Sequence, residues 1–120
     1  MARALVIEDN RQIADNIRRM LELLGLETEV AYGPRTGLLN LAHIPDVVFL
    51  DLMMPGMDGF EVLGYIRRQP GLDQIPVIII TSDDQPETAR KARDTGALAL
   101  IIKPPTIEIL EKHLQDLKLI

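Results

Sequence analysis

Cysteine and tryptophan are both absent from these 120 residues, and only two phenylalanines and two tyrosines are present. Without cysteine there can be no disulfide and no thiolate metal site. The two histidines, His43 and His113, are far apart and stand in no zinc-like spacing. Long apolar runs are missing too. The longest, Ala97 to Ile102, falls far short of the ~20 residues that cross a bilayer. No basic-then-apolar signal segment opens the chain, so a cytoplasmic protein with no membrane contact is expected. Positive charge is in deficit: 13 Lys and Arg face 18 Asp and Glu, for a net charge of −5. Direct nucleic acid binding draws its affinity from clustered Lys and Arg, and here only the pairs Arg18-Arg19 and Arg67-Arg68 occur.

What is present is alternation. Apolar runs of about four residues trade places with helix-period segments. Ala4 to Ile7, Val47 to Leu50, Val77 to Ile80 and Ala99 to Ile102 are the apolar runs. Glu27 to Ala31 alternates polar and apolar residues and reads as an edge strand. Ile13, Ile17, Met20, Leu21 and Leu24 share one face of a first helix from Arg11 to Leu24, which Gly25 ends. A second helix is expected from Pro34 to about Ala42, with Leu38, Leu39 and Leu41. A third runs from Gly59 to Arg68, with Phe60, Val62, Leu63 and Ile66 inward. The fourth, Pro86 to Thr95, is the weakest, because only Ala89 and Ala92 can enter a core. The last follows Thr106, a good N-cap, and turns Ile107, Leu110, Leu114 and Leu117 inward. No repeat, low-complexity stretch or linker interrupts the pattern. Five strands strictly alternating with five helices predict an α/β domain spanning residues 1–120: a doubly wound parallel sheet with right-handed crossovers and helices on both faces.

The apolar runs end in chemistry. Glu8 and Asp9 follow the first, Asp51 the third strand, Thr81 the fourth and Lys103 the fifth. In an open parallel sheet, ligands bind outside the carboxyl ends of the strands. Three carboxylates gathered there repel one another, by about 4 kcal/mol per pair at ~4 Å and an effective dielectric near 20. Such a cluster holds a proton or binds a cation, and hard oxygen ligands suit Mg²⁺. A cation, an ammonium from Lys103 and a hydroxyl from Thr81 are what a transferring phosphoryl group needs around its oxygens. A carboxylate can act as the nucleophile, and Asp51, alone at the end of the central strand, is the best placed. Taken singly, each of these residues has a plainer reading: an Asp after a strand caps or turns, and Asp58-Gly59 is a common turn. Taken together, the four placements favour a phosphate site.

Val6 to Asn10 (V-I-E-D-N), Asp51 to Gly59 (D-L-M-M-P-G-M-D-G), Ile80 to Ser82 (I-T-S) and Lys103-Pro104 carry a resemblance to the receiver domain of two-component response regulators, over essentially the whole chain. The resemblance implies the flavodoxin-like fold with strand order 2-1-3-4-5, an order that general accounts of the fold illustrate with the chemotaxis regulator. It implies that Asp51 is the phosphoacceptor, and that Asp9, Asp51 and the Met53 carbonyl bind Mg²⁺ with Glu8 acting through water. It also implies that Thr81 and Lys103 contact the phosphoryl oxygens. Ser82 matches the small residue beside Thr81, Asp83 and Met53 flank the pocket, and a cis Lys103-Pro104 bond aims the lysine inward. The partner implied is a sensor histidine kinase or phosphotransfer protein, and catalysis is confined to the domain's own phosphorylation and slow dephosphorylation.

The chain departs from the family pattern at Leu100, the output-switch position where an aromatic is usual, and at Pro105 in place of phenylalanine. These departures keep a second reading open, a pseudo-receiver that binds partners independently of phosphorylation. A phosphatase with an aspartyl nucleophile is disfavoured because Met53 stands where a second acid would be needed. Flavin binding is disfavoured because Glu8-Asp9-Asn10-Arg11 replaces a Ser/Thr/Gly-rich phosphate loop. The last strand is apolar throughout yet expected at an edge. Leu100 and the outer side of the last helix, including Ile109, therefore outline a face for a downstream partner or a second copy, together with the fourth helix.

Overall fold

The computed structural model describes residues 1–120. The strands are β1 (Arg3–Ile7), β2 (Glu27–Ala31), β3 (Val47–Leu50), β4 (Val77–Thr81) and β5 (Ala99–Ile102). The helices are α1 (Arg11–Leu23), α2 (Pro34–Asn40), α3 (Gly59–Arg68), α4 (Pro86–Thr95) and α5 (Ile107–Asp116). All strand pairs are parallel and the sheet order is β2-β1-β3-β4-β5. This is the doubly wound five-stranded sheet with helices on both faces that the alternation predicts.

Alternate strand residues build two cores. Leu5, Ile7, Val48, Leu50, Val77 and Ile79 pack with Val62, Leu63 and Ile66 of α3 and Ala92 of α4. Val6, Phe49, Ile78 and Ile80 pack on the other face with Ile17 and Leu21 of α1 and Leu110 and Leu114 of α5. The three central strands are buried on both faces, which is why they read as continuous apolar runs rather than alternating ones. Burying one such side chain contributes roughly 1.5–3 kcal/mol.

Local differences from the sequence pattern have simple causes. Helix α2 stops at Asn40, two residues early, because the Leu41 N–H turns to the Leu38 and Leu39 carbonyls. That turn buries Leu41 and leaves Leu39 75 % exposed. Leu24 serves as the C-cap of α1. Asp58-Gly59 is more than a turn: Asp58 is the N-cap of α3 in a capping box. Its carboxylate accepts from the Glu61 N–H at 2.9 Å, and its own N–H donates to the Glu61 carboxylate at 3.3 Å. Helix α4 buries only Ala92. The fifth strand is an edge strand, but Leu100 is half-buried against the core beneath α3 and α4. Apolar exposure at this edge falls on Leu98, Ile102 and Ile109 instead.

Candidate functional site

Register brings the strand ends level. Ile7 pairs with Leu50, Leu50 with Ile79, and Thr81 with Ile102. The ladder continues past the strands: Asp51 N–H donates to the Ile7 carbonyl at 3.0 Å and Lys103 N–H to the Thr81 carbonyl at 2.8 Å. The roots of Glu8, Asp51, Thr81 and Lys103 are therefore fixed by the sheet itself and not by flexible loops. Beyond Lys103 the bond to Pro104 is cis.

Glu8, Asp51 and Thr81 are the only polar residues in the fully buried set. Carboxylate oxygens of Glu8, Asp9 and Asp51 lie within 4.8 Å of one another. Lys103 Nζ reaches into this cluster, 2.6 Å from Glu8 Oε1 and 3.3 Å from Asp51 Oδ1. The second Glu8 oxygen accepts from the Asn10 N–H at 3.2 Å. Asn10 also caps α1 through its side chain, which accepts from Ile13 N–H at 3.0 Å. Asp51 Oδ1 differs from the Glu8 oxygens: it is buried and no donor points at it in hydrogen-bonding geometry, Lys103 included. A buried carboxylate oxygen short of donors is costly, and a bound cation would supply what it lacks.

The charges tune one another. Burial raises Glu8 to about 7, against the opposing pull of its hydrogen bonds from Lys103 and Asn10, and the nearby Asp51 charge adds to the rise. Burial works against the Lys103 ammonium, but its hydrogen bond to Glu8 and the Asp51 charge outweigh it and hold the lysine above its ordinary value. Glu8 gives a pH prediction for the metal-free domain. Its folded value is raised above the ordinary 4.5, so the folded state holds the proton more tightly and this contribution is fully present only below about pH 4.5. It is lost as pH rises through about 7. In chelator, the melting temperature of wild type should fall across that window relative to Glu8→Gln. Parallel curves for the two proteins would contradict the assignment.

The other expected site residues lie in β4 and the loop after it, in the loop after β3 and in β5. Thr81 is fully buried, and its Oγ1 accepts from the Asp83 N–H at 3.2 Å. Ser82 is exposed, Asp83 half-buried, and Met53 66 % exposed in the loop after Asp51. Leu100 lies in β5, outside the acid cluster. A cleft of about 430 Å³ opens beside the pocket, between Ile13, Ile17 and Met20 of α1 and the Lys103-Pro104-Pro105 turn. Sequence reasoning missed the Glu8–Lys103 contact, made across 95 positions, and the role of Asn10. An Asn three residues before the first apolar position of α1 was the available signal for the latter.

Residues 4–115 match the family model described as the response regulator receiver domain. The chain belongs to that family. This receiver domain is 39 % identical to the regulatory protein AtoC of Escherichia coli (strain K12) over 94 % of its length, and 34 % identical to the response regulator MprA of Mycolicibacterium vanbaalenii over 96 %. It spans 24 % of the first of these relatives and 49 % of the second. Among solved structures, the signal receiver domain of a DNA-binding response regulator from Colwellia psychrerythraea superposes with a TM-score of 0.92 at 33 % identity, with all of both chains covered. The chemotaxis protein CheY4 of Vibrio cholerae superposes at 0.91 with 30 % identity, covering 98 % of each chain. The receiver domain is thus a phosphoryl-accepting module of two-component signalling, and its Glu8, Asp9 and Asp51 cluster is consistent with the metal site of such domains. No helix is long and apolar enough to cross a membrane.

Proposed function

We propose that Asp51 is the phosphoacceptor, taking a phosphoryl group from a phosphohistidine on a sensor kinase or phosphotransfer protein. The observation that carries this reading is the buried Asp51 Oδ1 without a donor, 3.3 Å from an ammonium and inside a cluster of acids. An Asp51 carboxylate oxygen attacks phosphorus, the bond to the donor imidazole breaks, and the imidazole keeps the electron pair. Lys103 stabilises charge on the phosphoryl oxygens, with its 2.6 Å contact to Glu8 holding it in place. Thr81 offers a hydroxyl to a second oxygen, and Ser82 and Asp83 complete the rim. Asp9 and Asp51, the Met53 main-chain carbonyl, and Glu8 through water are the groups that would hold Mg²⁺. When bound, that ion supplies positive charge against the transferring group and offsets the repulsion among the acids.

The 120 residues act as one receiver domain, in the cytoplasm where response regulators work, and not as a conventional enzyme with turnover on an external substrate. A downstream partner or second copy would use α4, β5 and α5, where Leu98, Ile102 and Ile109 are exposed. The pseudo-receiver reading is not favoured, because the acids and the lysine are assembled in one pocket. Incubation with acetyl phosphate and Mg²⁺, followed by intact-mass and peptide mapping, should show one phosphoryl group on the Asp51 peptide, and chelator should prevent it. Labelling at another residue, or labelling indifferent to chelator, would overturn the assignment.

A further inference from the structure

Helix α4 is fastened unevenly. At its C-terminal end Arg67 donates twice to the Gly96 carbonyl, from Nε at 3.0 Å and from Nη2 at 2.8 Å. Along its length one side chain, Ala92, is buried, and Lys91 lies 4.4 Å over the Phe60 ring. Its start has no cap of its own: Gln85, the N-cap residue, makes no side-chain cap hydrogen bond. The groups there are served from outside by Asp83. One carboxylate oxygen accepts from the Gln85 N–H at 3.0 Å, and the other from the Thr88 hydroxyl at 2.7 Å. These bonds hold the Asp83 carboxyl below its ordinary range. The same residue's main-chain N–H donates to Thr81 Oγ1 in the pocket.

We propose that Asp83 is a positioning residue that joins the Thr81 hydroxyl to the first turn of α4, so that the two rearrange as one unit. For its input this inference rests on the phosphoacceptor reading of Asp51. A hydroxyl that turns to donate to a phosphoryl oxygen carries its lone pairs with it. The Asp83 N–H must follow its acceptor or lose it, and losing a partner in this partly buried position is costly. When the backbone follows, the carboxylate shifts against Gln85 and Thr88. The start of α4 is held from the loop that carries Thr81, whereas its C-terminal end is held to α3 by the two Arg67 bonds. Leu100, half-buried and without a polar group, offers no parallel connection from β5. Because coupling is reciprocal, a partner that reorganises the first turn of α4 changes how the pocket presents Thr81.

Amide hydrogen exchange across Gln85 to Ala89 tests this in two ways. In the unphosphorylated domain, Thr81→Val and Thr88→Val should each speed exchange about five- to tenfold, the scale of one lost cap or hydrogen bond. The double variant should be no faster than the singles. Effects that multiply, or a Thr81→Val effect confined to the pocket, would overturn the proposal. After acetyl phosphate and Mg²⁺, wild type and Thr88→Ser should show altered exchange in this turn and Thr88→Val a smaller change, since only the Gln85 bond to Asp83 then remains. An unchanged wild-type-like response in labelled Thr88→Val would also overturn it. Failure of Asp51 to label would instead remove the functional reading, while the unphosphorylated comparison still decides the coupling.

Discussion

Asp51→Asn is expected to abolish phosphorylation outright. No alkali-labile phosphate should form with acetyl phosphate, even after long incubation. Loss of a stabilising donor typically lowers a rate by on the order of 10² to 10³, because the reaction persists without it. Loss of the attacking carboxylate leaves no reaction, since an amide oxygen or nitrogen at this position is not a competent nucleophile. The same substitution should raise the melting temperature in chelator. Asp51 faces one ammonium at 3.3 Å but two carboxylates whose oxygens lie within 4.8 Å, and it bears this imbalance while 4 % exposed. Two repulsions and the desolvation of a buried charge outweigh one attraction. Mg²⁺, which stabilises wild type by binding the folded state, should stabilise Asp51→Asn much less. An alkali-labile phosphate retained in Asp51→Asn would defeat the assignment. A melting temperature that falls would mean that the Lys103 contact dominates the local electrostatics.

Much of this site was legible in the sequence for one physical reason. A parallel strand buried on both faces must be apolar to its last residue, so the first polar residue after it stands at the sheet edge. Glu8 and Asp51 are such residues, Thr81 closes β4 itself and Lys103 follows the apolar edge strand β5, and the structure places all four at one end of the sheet. Strand order is a different matter. Periodicity predicts that five parallel strands exist but carries no information on which lie side by side, so the order 2-1-3-4-5 came from the resemblance. Contacts that depend on side-chain reach were not legible either. Nothing about a Glu at position 8 shows that it, and not Asp51, takes the shorter bond from Lys103. Asp58 and Glu61 did carry a readable signal, the D-x-x-E spacing of a capping box, which the turn reading of Asp58-Gly59 passed over. The extent of α2 misled because Leu38, Leu39 and Leu41 look alike in sequence. The backbone turns after Asn40 and buries Leu41, while Leu38 packs half-buried against the same core and Leu39 is left exposed.

Gly59→Ala should be among the most destabilising single-methyl changes in the domain, and Gly64→Ala, in the same helix, should not destabilise it at all. Gly59 is the first residue of α3, and its N–H donates to the Leu52 carbonyl at 2.9 Å. A Cβ there would run into the main chain at the end of β3: the Asp51 carbonyl oxygen, and Leu52 Cα at 2.7 Å. Neither atom can step aside without moving β3 or lifting the start of α3 away from it. The cost should reach the upper end of overpacking, about 3 kcal/mol, or roughly 10 °C in melting temperature for a domain of this size. Because the displaced atoms belong to Asp51 and its neighbour, labelling by acetyl phosphate should slow even at temperatures where the variant is folded. At Gly64 the nearest atom to an added Cβ is Arg68 Nη1 at 3.0 Å, the tip of an exposed flexible side chain. There the ordinary preference of a helix interior for Ala over Gly decides the sign, about 0.5–1 kcal/mol in favour of the variant. Thermal or urea denaturation of the two variants separates the causes. If both shift stability alike, helix propensity and not the approach of α3 to the Asp51 backbone governs this part of the fold. If Gly59→Ala is as stable as wild type, the close packing that holds the Asp51 loop against α3 is not what fixes its position.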